Sequence, residues 1–252
     1  HLLHLAQRAS FPHSVTIFER KEFRRRGQTG CNKCAGILSS HLLHGLEDLG
    51  LHIPEYLVMG RLQSYALHLA GKTIVIAQPD PQRTIMSIYR GGGPLHGGLP
   101  PEVSFDAWLL DEARAAGTEV VSANVRKIVA GPIMEIEAEG QRQPFDLVVL
   151  ATGVNAHPPA MEGLHYTPPR TEVMAQDELS LDVPLDPQER RQVQVYVGQS
   201  EGLLFGGLIP KGNLLNVSLL GHGLTNDAVG EFLQRVECTW LRNAGIRRLC
   251  GC

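Results

Sequence analysis

The sequence predicts an α/β protein whose parallel layer is interrupted twice by β-rich, mainly antiparallel sequence. Three observations carry that expectation. A helix leading into the short apolar run VTIF (15–18), with Glu19 at its end, reads as an α/β step. The run FDLVVLATG (145–153) is continuously apolar and ends in small residues, the pattern of a parallel strand covered on both faces. Between and after these, 62–78 and 193–220 consist of short strand-like stretches punctuated by glycine, as antiparallel sheet requires.

In chain order, residues 2–9 read as the tail of a helix, Ser10 to Ser14 as a break, and Val15–Phe18 as a buried strand. A basic run follows Glu19: Arg20, Lys21, Arg24, Arg25 and Arg26. Residues 38–49 predict a helix with Leu38, Leu42, Leu46 and Leu49 near helical spacing and Gly50 as its stop. The segment 62–78 predicts a hairpin turning near Ala70-Gly71, and the glycine-rich 91–101 a loop. Ser104 is placed to cap a helix that runs to about Ala116, with Ala107 where a capping box would carry glutamate. Residues 118–129 and 132–138 read as strands, followed by the apolar strand 145–153. After Pro168-Pro169 come strands at 193–197, 203–209 and 214–220, and then a helix over 225–243. The order implies two domains that interrupt each other, 1–60 with 101–165 and 61–100 with 166–224, while 225–252 starts a return to the first.

Of the 252 residues, 43% are hydrophobic and 19% charged, an ordinary globular composition. A formal charge of -3 argues against a broad nucleic-acid-binding surface, which would need positive charge to neutralise phosphates. No run reaches the roughly 18 apolar residues of a membrane span, and no secretory signal opens the chain. Five cysteines make no convincing disulfide framework and fit a reducing cytoplasm, with peripheral association at the inner face of a membrane left open. H-E-x-x-H and P-loop patterns are missing, which leaves the zinc-peptidase and nucleotidase classes without support.

Two groups of residues could carry chemistry. An acidic side chain at the end of a second strand in a Rossmann-like layer can accept hydrogen bonds from both ribose hydroxyls of an adenosine, which makes Glu19 a candidate. The small residues Ala151, Thr152 and Gly153 would let a cofactor backbone approach closely. The segment Gly30-Cys31-Asn32-Lys33-Cys34-Ala35-Gly36 holds a C-x-x-C pair that is open to three readings: a redox couple, half of a metal site completed by Cys250 and Cys252, or two unrelated thiols. Arg20 and Lys33 are the basic residues best placed to meet a pyrophosphate.

Three segments together resemble the geranylgeranyl reductase family of FAD-dependent oxidoreductases, within the p-hydroxybenzoate hydroxylase-like fold. They are VTIFER (15–20) with GCNKCAG (30–36), YRGG (89–92) with SFDAWLLDEARAAGTEV (104–120) and FDLVVLATGVN (145–155), and LLFGGLIPKGNLLNVSLLG (203–221). The resemblance implies a Rossmann-like FAD-binding domain interleaved with a mainly antiparallel substrate domain. It also implies that residues 1–252 are truncated at both ends, with a G-x-G-x-x-G strand before them and a Gly-Asp segment after. By the same resemblance, Glu19 meets the ribose, and Arg20 and Lys33 lie near the phosphates or the flavin edge. Cys34, Ala35 and Gly36 pass the isoalloxazine, Arg90 lies near the flavin, and Cys34 and Arg90 are the candidate catalytic pair. Val125 meets the adenine, Ala151, Thr152 and Gly153 flank the adenosine, and Pro210 and Lys211 lie on the substrate side. No metal is implied. The implied activity is reduction of an apolar, isoprenoid-like substrate by flavin hydride transfer, with NAD(P)H or another donor reducing FAD. A flavin monooxygenase or halogenase, a thiol-redox or metal-binding protein, and a non-catalytic fragment stand as alternatives. Ile209 occupies a position that is aromatic in the family, and the glycine-rich 91–98 loop is expanded.

Overall fold

The computed structural model describes residues 3, 5, 12–27, 29–30, 35–69, 71–78, 80, 83–96, 99–153, 157–198, 202–225, 227–235, 241 and 245–251. In chain order the elements are β1 (Thr16–Phe18), β2 (Ile37–Leu38), α1 (Ser40–Glu47), β3 (Val58–Leu62), β4 (Ser64–Leu69), β5 (Lys72–Ala77) and β6 (Ile85–Ile88). There follow α2 (Phe105–Ala115), β7 (Glu119–Val121), β8 (Val125–Val129), β9 (Met134–Ala138), β10 (Gln141–Phe145) and β11 (Ala160–Glu162). The last are β12 (Met174–Leu181), β13 (Gln192–Val197), β14 (Leu203–Lys211), β15 (Leu214–Gly221), α3 (Ala228–Arg235) and β16 (Ile246–Gly251). The architecture is mixed α/β, with Rossmann-like parallel pairing interleaved with antiparallel sheets.

Contacts divide the chain into two compact units, His1–Lys21 with Glu112–Thr171, and Glu22–Asp111 with Glu172–Cys252. In the first unit β1 and β7 pair in parallel, Ile17 opposite Val120. A second sheet there runs β10-β9-β8-β11, in which Lys127 and Glu162 form an ion pair across the parallel β8–β11 rungs.

The second unit is built on a seven-stranded sheet of order β16-β12-β15-β14-β13-β4-β5 and a three-stranded sheet β2-β6-β3. Strands β4 and β5 form the hairpin expected at 62–78, turning at Gly71, whose φ of +74° suits glycine. One face of the large sheet buries Leu179, Leu208, Leu215 and Val217 against Val229 and Phe232 of α3. Fully burying such side chains contributes about 1.5–3 kcal/mol each. The smaller sheet packs Leu38 and Ile88 against Leu43 and Leu46 of α1 and Phe105 and Trp108 of α2. Helix α2 begins as its sequence demands: Ser104 Oγ accepts from the Ala107 N–H at 3.2 Å.

Several elements differ from the sequence-based expectation. Residues 147–153 form no strand, and Leu147 and Val149 are exposed. A continuously apolar strand needs a paired neighbour and a cover on each face, and among the described residues the β1–β7 sheet has those two strands alone. The stretch 118–129 is broken at Ser122–Asn124 into β7 and β8, which lie in different sheets. Helix α1 is shorter than 38–49: Leu38 belongs to β2, Ser39 caps the helix, and the buried pair is Leu43 and Leu46 while Leu42 is exposed. Of the helix expected at 225–243, α3 covers Ala228–Arg235, and 236–240 lie outside the described residues. Of residues 2–9, Leu3 and Leu5 are described, and both are helical.

Candidate functional site

Glu19 follows directly on β1. Its backbone N–H donates to Val121 O at 3.0 Å, which extends the β1–β7 ladder to the strand end. Its carboxylate Oε1 accepts from the Lys21 N–H at 2.6 Å. That local bond turns the carboxylate back along the chain and fixes its direction, leaving Oε2 as an acceptor for a second group. Arg20 is exposed. In the same unit, Val125 opens β8 opposite Ala138. Ala151, Thr152 and Gly153 are exposed and outside regular structure, with Gly153 at φ +77° and open space around it.

The second unit holds the remaining described candidates, and three of them come together. Gly36 O accepts from Ile88 N–H at 2.8 Å. Ser87 Oγ, fully buried, donates to Pro210 O at 2.8 Å. Lys211, 1% exposed, follows Pro210, and its Nζ lies 4.4 Å from the centroid of the Tyr89 ring. Pro210 is tolerated inside β14 because the last rung with β13 pairs Gln194 with Leu208, short of the proline. Ala35 packs on the cluster of Leu62, Val193 and Ile209. Arg90 is half-exposed and held in a fork by Asp106, with Nε at 3.2 Å from Oδ1 and one terminal nitrogen at 3.1 Å from Oδ2. The Arg90 carbonyl in turn accepts from the Asp106 N–H at 2.8 Å, so the start of α2 and this arginine are fastened to each other. Cys31, Lys33 and Cys34 lie outside the described residues.

A set of residues that the sequence did not single out surrounds Lys211. Its Nζ donates to Glu178 Oε1 at 2.9 Å, and Asn216 Nδ2 donates to the same oxygen at 3.1 Å. Ser218 Oγ donates to Asn216 Oδ1 at 2.7 Å, and Gln176 Nε2 donates to Ser218 Oγ at 2.9 Å. Rungs Gln176↔Ser218 and Glu178↔Asn216 place all four on one face of β12 and β15. The opposite face carries Leu179, Leu215 and Val217 to the core. The signal was present in the alternation of Asn216 and Ser218 with Leu215, Val217 and Leu219, but a polar face on an alternating strand ordinarily faces water. Here it is buried. Behind it, Asp177 is 2% exposed and pairs with Arg248 and, at 3.1 Å, with the Cys250 N–H.

Burial pushes the Tyr65 hydroxyl above its ordinary range. Hydrogen bonding from Arg61 holds the exposed Glu55 carboxyl below the ordinary carboxylate range. Among the described residues, no cluster of three or more His, Cys, Asp or Glu is arranged to hold a metal ion, and no helix is long and apolar enough to cross a membrane.

No family model matches the chain, and no curated protein matches it. Solved structures do. A geranylgeranyl bacteriochlorophyll reductase-like protein from Thermoplasma acidophilum superposes with a TM-score of 0.61 at 11% identity, covering 99% of this chain and 62% of that one. A flavoprotein/dehydrogenase from Cytophaga hutchinsonii gives 0.60 at 14% identity, covering 98% and 60%. A flavin-dependent halogenase gives 0.55 at 17% identity, covering 98% and 45%. The chain thus spans less than two thirds of each of these structures. Identities this low speak to architecture alone, and on that ground the chain has the p-hydroxybenzoate hydroxylase-like fold, a Rossmann-like layer interleaved with antiparallel sheets.

Proposed function

We propose that this chain is the body of an FAD-dependent oxidoreductase, a reductase of an apolar, isoprenoid-like substrate supplied with electrons by NAD(P)H or another donor. The observation that carries the reading is a parallel pair ending in Glu19 interleaved in sequence with a large, mainly antiparallel sheet, in a chain whose fold is like that of solved flavoproteins. Residues 1–60 and 101–165 would form the cofactor domain, 61–100 and 166–224 the substrate domain, with 225–252 returning to the first. FAD, when bound, supplies hydride transfer, and the protein contributes placement and solvent exclusion.

The residues present fit such a group in part. Glu19 presents a carboxylate oriented by the Lys21 N–H, which leaves one oxygen to accept from ribose hydroxyls. Ala35 and Gly36 offer little side chain to obstruct a flat ring, and Ala151, Thr152 and Gly153 offer little to obstruct an adenosine. Val125 would contribute backbone at the adenine, and Arg20 and Lys33 positive charge at the phosphates. Arg90, kept in one orientation by Asp106, would stand at the flavin with Cys34. Pro210 and Lys211 would wall the substrate side.

Full-length protein purified under this reading carries a visible flavin spectrum. Glu19→Ala weakens FAD by about tenfold or more, the loss expected for hydrogen bonds to a charged group, yet leaves FMN, which has no adenosine, unaffected. Protein that takes up neither flavin refutes the proposal. The likeness to a halogenase supports a second reading, a monooxygenase or halogenase. Turnover that needs dioxygen, against reduction that proceeds without it, separates the two.

A further inference from the structure

The seven-stranded sheet ends on β16 at one side and on β5 at the other, and the two edges differ. An edge strand offers a row of free N–H and C=O groups, which proteins blunt with charges, proline or a bulge. Edge β16 carries the exposed Arg247 and Arg248, and its pairing with β12 shifts register between Glu178 and Leu179. Edge β5 pairs with β4 without a shift, from Leu69↔Lys72 to Ser64↔Ala77, and its one charge is Lys72 at the first position. The rest of the strand, Thr73 to Ala77, is uncharged, and Ile74, Val75 and Ile76 are 53%, 59% and 53% exposed. Successive side chains point to opposite faces, so β5 is bare on both faces as well as along its edge.

We propose that β5 is the two-fold interface of a homodimer, in which each copy adds its β5 antiparallel to that of the other and the sheet runs on from one molecule into the next. Backbone direction restricts the register. The Gln78 N–H donates to Gln63 O at 2.8 Å, on the β4 side. By the alternation of an antiparallel ladder, Lys72, Ile74 and Ile76 also turn their backbone groups to β4, while Thr73, Val75 and Ala77 turn theirs outward. A two-fold axis requires that residue i face j and j face i. Centred on Val75, it sets Val75 against itself, Thr73 against Ala77 and Ile74 against Ile76, a segment that reads nearly alike in both directions. Every outward N–H and C=O of Thr73, Val75 and Ala77 then has a partner, and the isoleucines meet on one face. An axis moved to Ile74 would set Ile76 against Lys72, and one moved to Ile76 would set Ile74 against Gln78. At each rim the Lys72 ammonium of one copy approaches the half-exposed carboxylate that Asp80 of the other holds 3.6 Å from Arg83, so the strand's one charge meets an acidic group. A peptide from a different protein would need no such symmetry in β5, which is why the occupant is a second copy. The interface is independent of the flavin reading.

The test is the oligomeric state of the full-length protein by analytical ultracentrifugation, with hydrogen exchange of the Thr73, Val75 and Ala77 amides. The wild type sediments as a dimer with these amides protected. Val75→Pro removes an outward N–H and leaves the bonds to β4 in place, so the sedimenting mass falls by half and the Thr73 and Ala77 amides exchange freely. If that variant loses its circular dichroism, Ile74→Lys/Ile76→Lys takes its place, setting lysine against lysine across the axis at positions exposed in the single chain. Oxidative cross-linking reads the register. Residues opposite each other in a hydrogen-bonded pair have Cα atoms about 5.5 Å apart, which suits a disulfide. Val75→Cys therefore cross-links above the level of the parent with its five native cysteines, whereas Thr73→Cys, which faces Ala77 and not itself, does not. A monomer overturns the interface, whether its β5 amides exchange freely or are covered by another segment of its own chain. So does a dimer that survives the folded variant, or a Thr73→Cys variant that cross-links as well as Val75→Cys.

Discussion

Replacing Gly36 by alanine tests how tightly the backbone is packed where β2 begins. Gly36 has φ +69°, in the left-handed region, and its carbonyl takes the Ile88 N–H. A methyl group there would be driven into the Ile88 carbonyl oxygen, with the carbonyl carbon at 3.0 Å and Lys211 Nζ at 3.3 Å. Gly71 is the matched control: its φ is +74°, but a methyl would meet nothing within 4 Å. Both substitutions incur the left-handed penalty of about 1–2 kcal/mol for a residue with a Cβ. At Gly36 alone, β6 must also shift its backbone, comparable to overpacking at about 1–3 kcal/mol. Gly36→Ala should therefore destabilise by about 2–5 kcal/mol and Gly71→Ala by about 1–2 kcal/mol. Urea unfolding followed by circular dichroism, with equal slopes required, measures both. Equal losses for the two variants would refute the close approach of Gly36 to Ile88.

Lys211→Met leaves Glu178 as an uncompensated buried charge and should cost about 3–5 kcal/mol, whereas adding Glu178→Gln recovers a large part of the loss. A double variant as unstable as the single one, by the same urea assay, would show that the pair is not what holds this face together. Arg61 donates to Glu55 at 2.9 and 2.7 Å, which holds the carboxyl below its ordinary range. The folded value is depressed, so the stabilisation is complete above the unfolded carboxyl's pKa and is lost as pH falls through the folded one. Side-chain carboxyl NMR should show Glu55 titrating lower in the wild type than in Arg61→Gln; identical midpoints would count against the pair.

What the sequence disclosed depended on whether a residue's chemistry agreed with its surroundings. The β4–β5 hairpin was legible because apolar alternation stops at a glycine that the turn needs in a left-handed conformation. Helix α2 was legible because Ser104 is a capping residue that does cap. Strand β12 was not among the expected strands, because Gln176, Asp177 and Glu178 stand in a row with no apolar alternation, yet each is buried and paired across the sheet. The run 145–153 erred in the opposite direction. Its apolar composition reports what the segment could bury, and Leu147 and Val149 lie exposed. Gly36, Pro210 and Lys211, candidates named through the resemblance, lie together around Ser87, Ile88 and Tyr89. Their partners Glu178, Asn216 and Ser218 come from strands whose polar positions carry no local mark of burial.

The two faces of the β12–β15–β14 sheet explain why that burial is sustained. Alternation sends Leu179, Leu208, Leu215 and Val217 to one side, where packing against α3 supplies the apolar stabilisation. The same backbone then necessarily presents Glu178, Asn216 and Ser218 to the other side, beside Lys211. A fully apolar second face would be cheaper to bury than an ion pair with two amides and a hydroxyl. Core packing alone therefore does not account for these side chains: Gln176, Ser218 and Asn216 pass hydrogen bonds in sequence to Glu178 Oε1, where Lys211 also donates, and these bonds hold the polar face together.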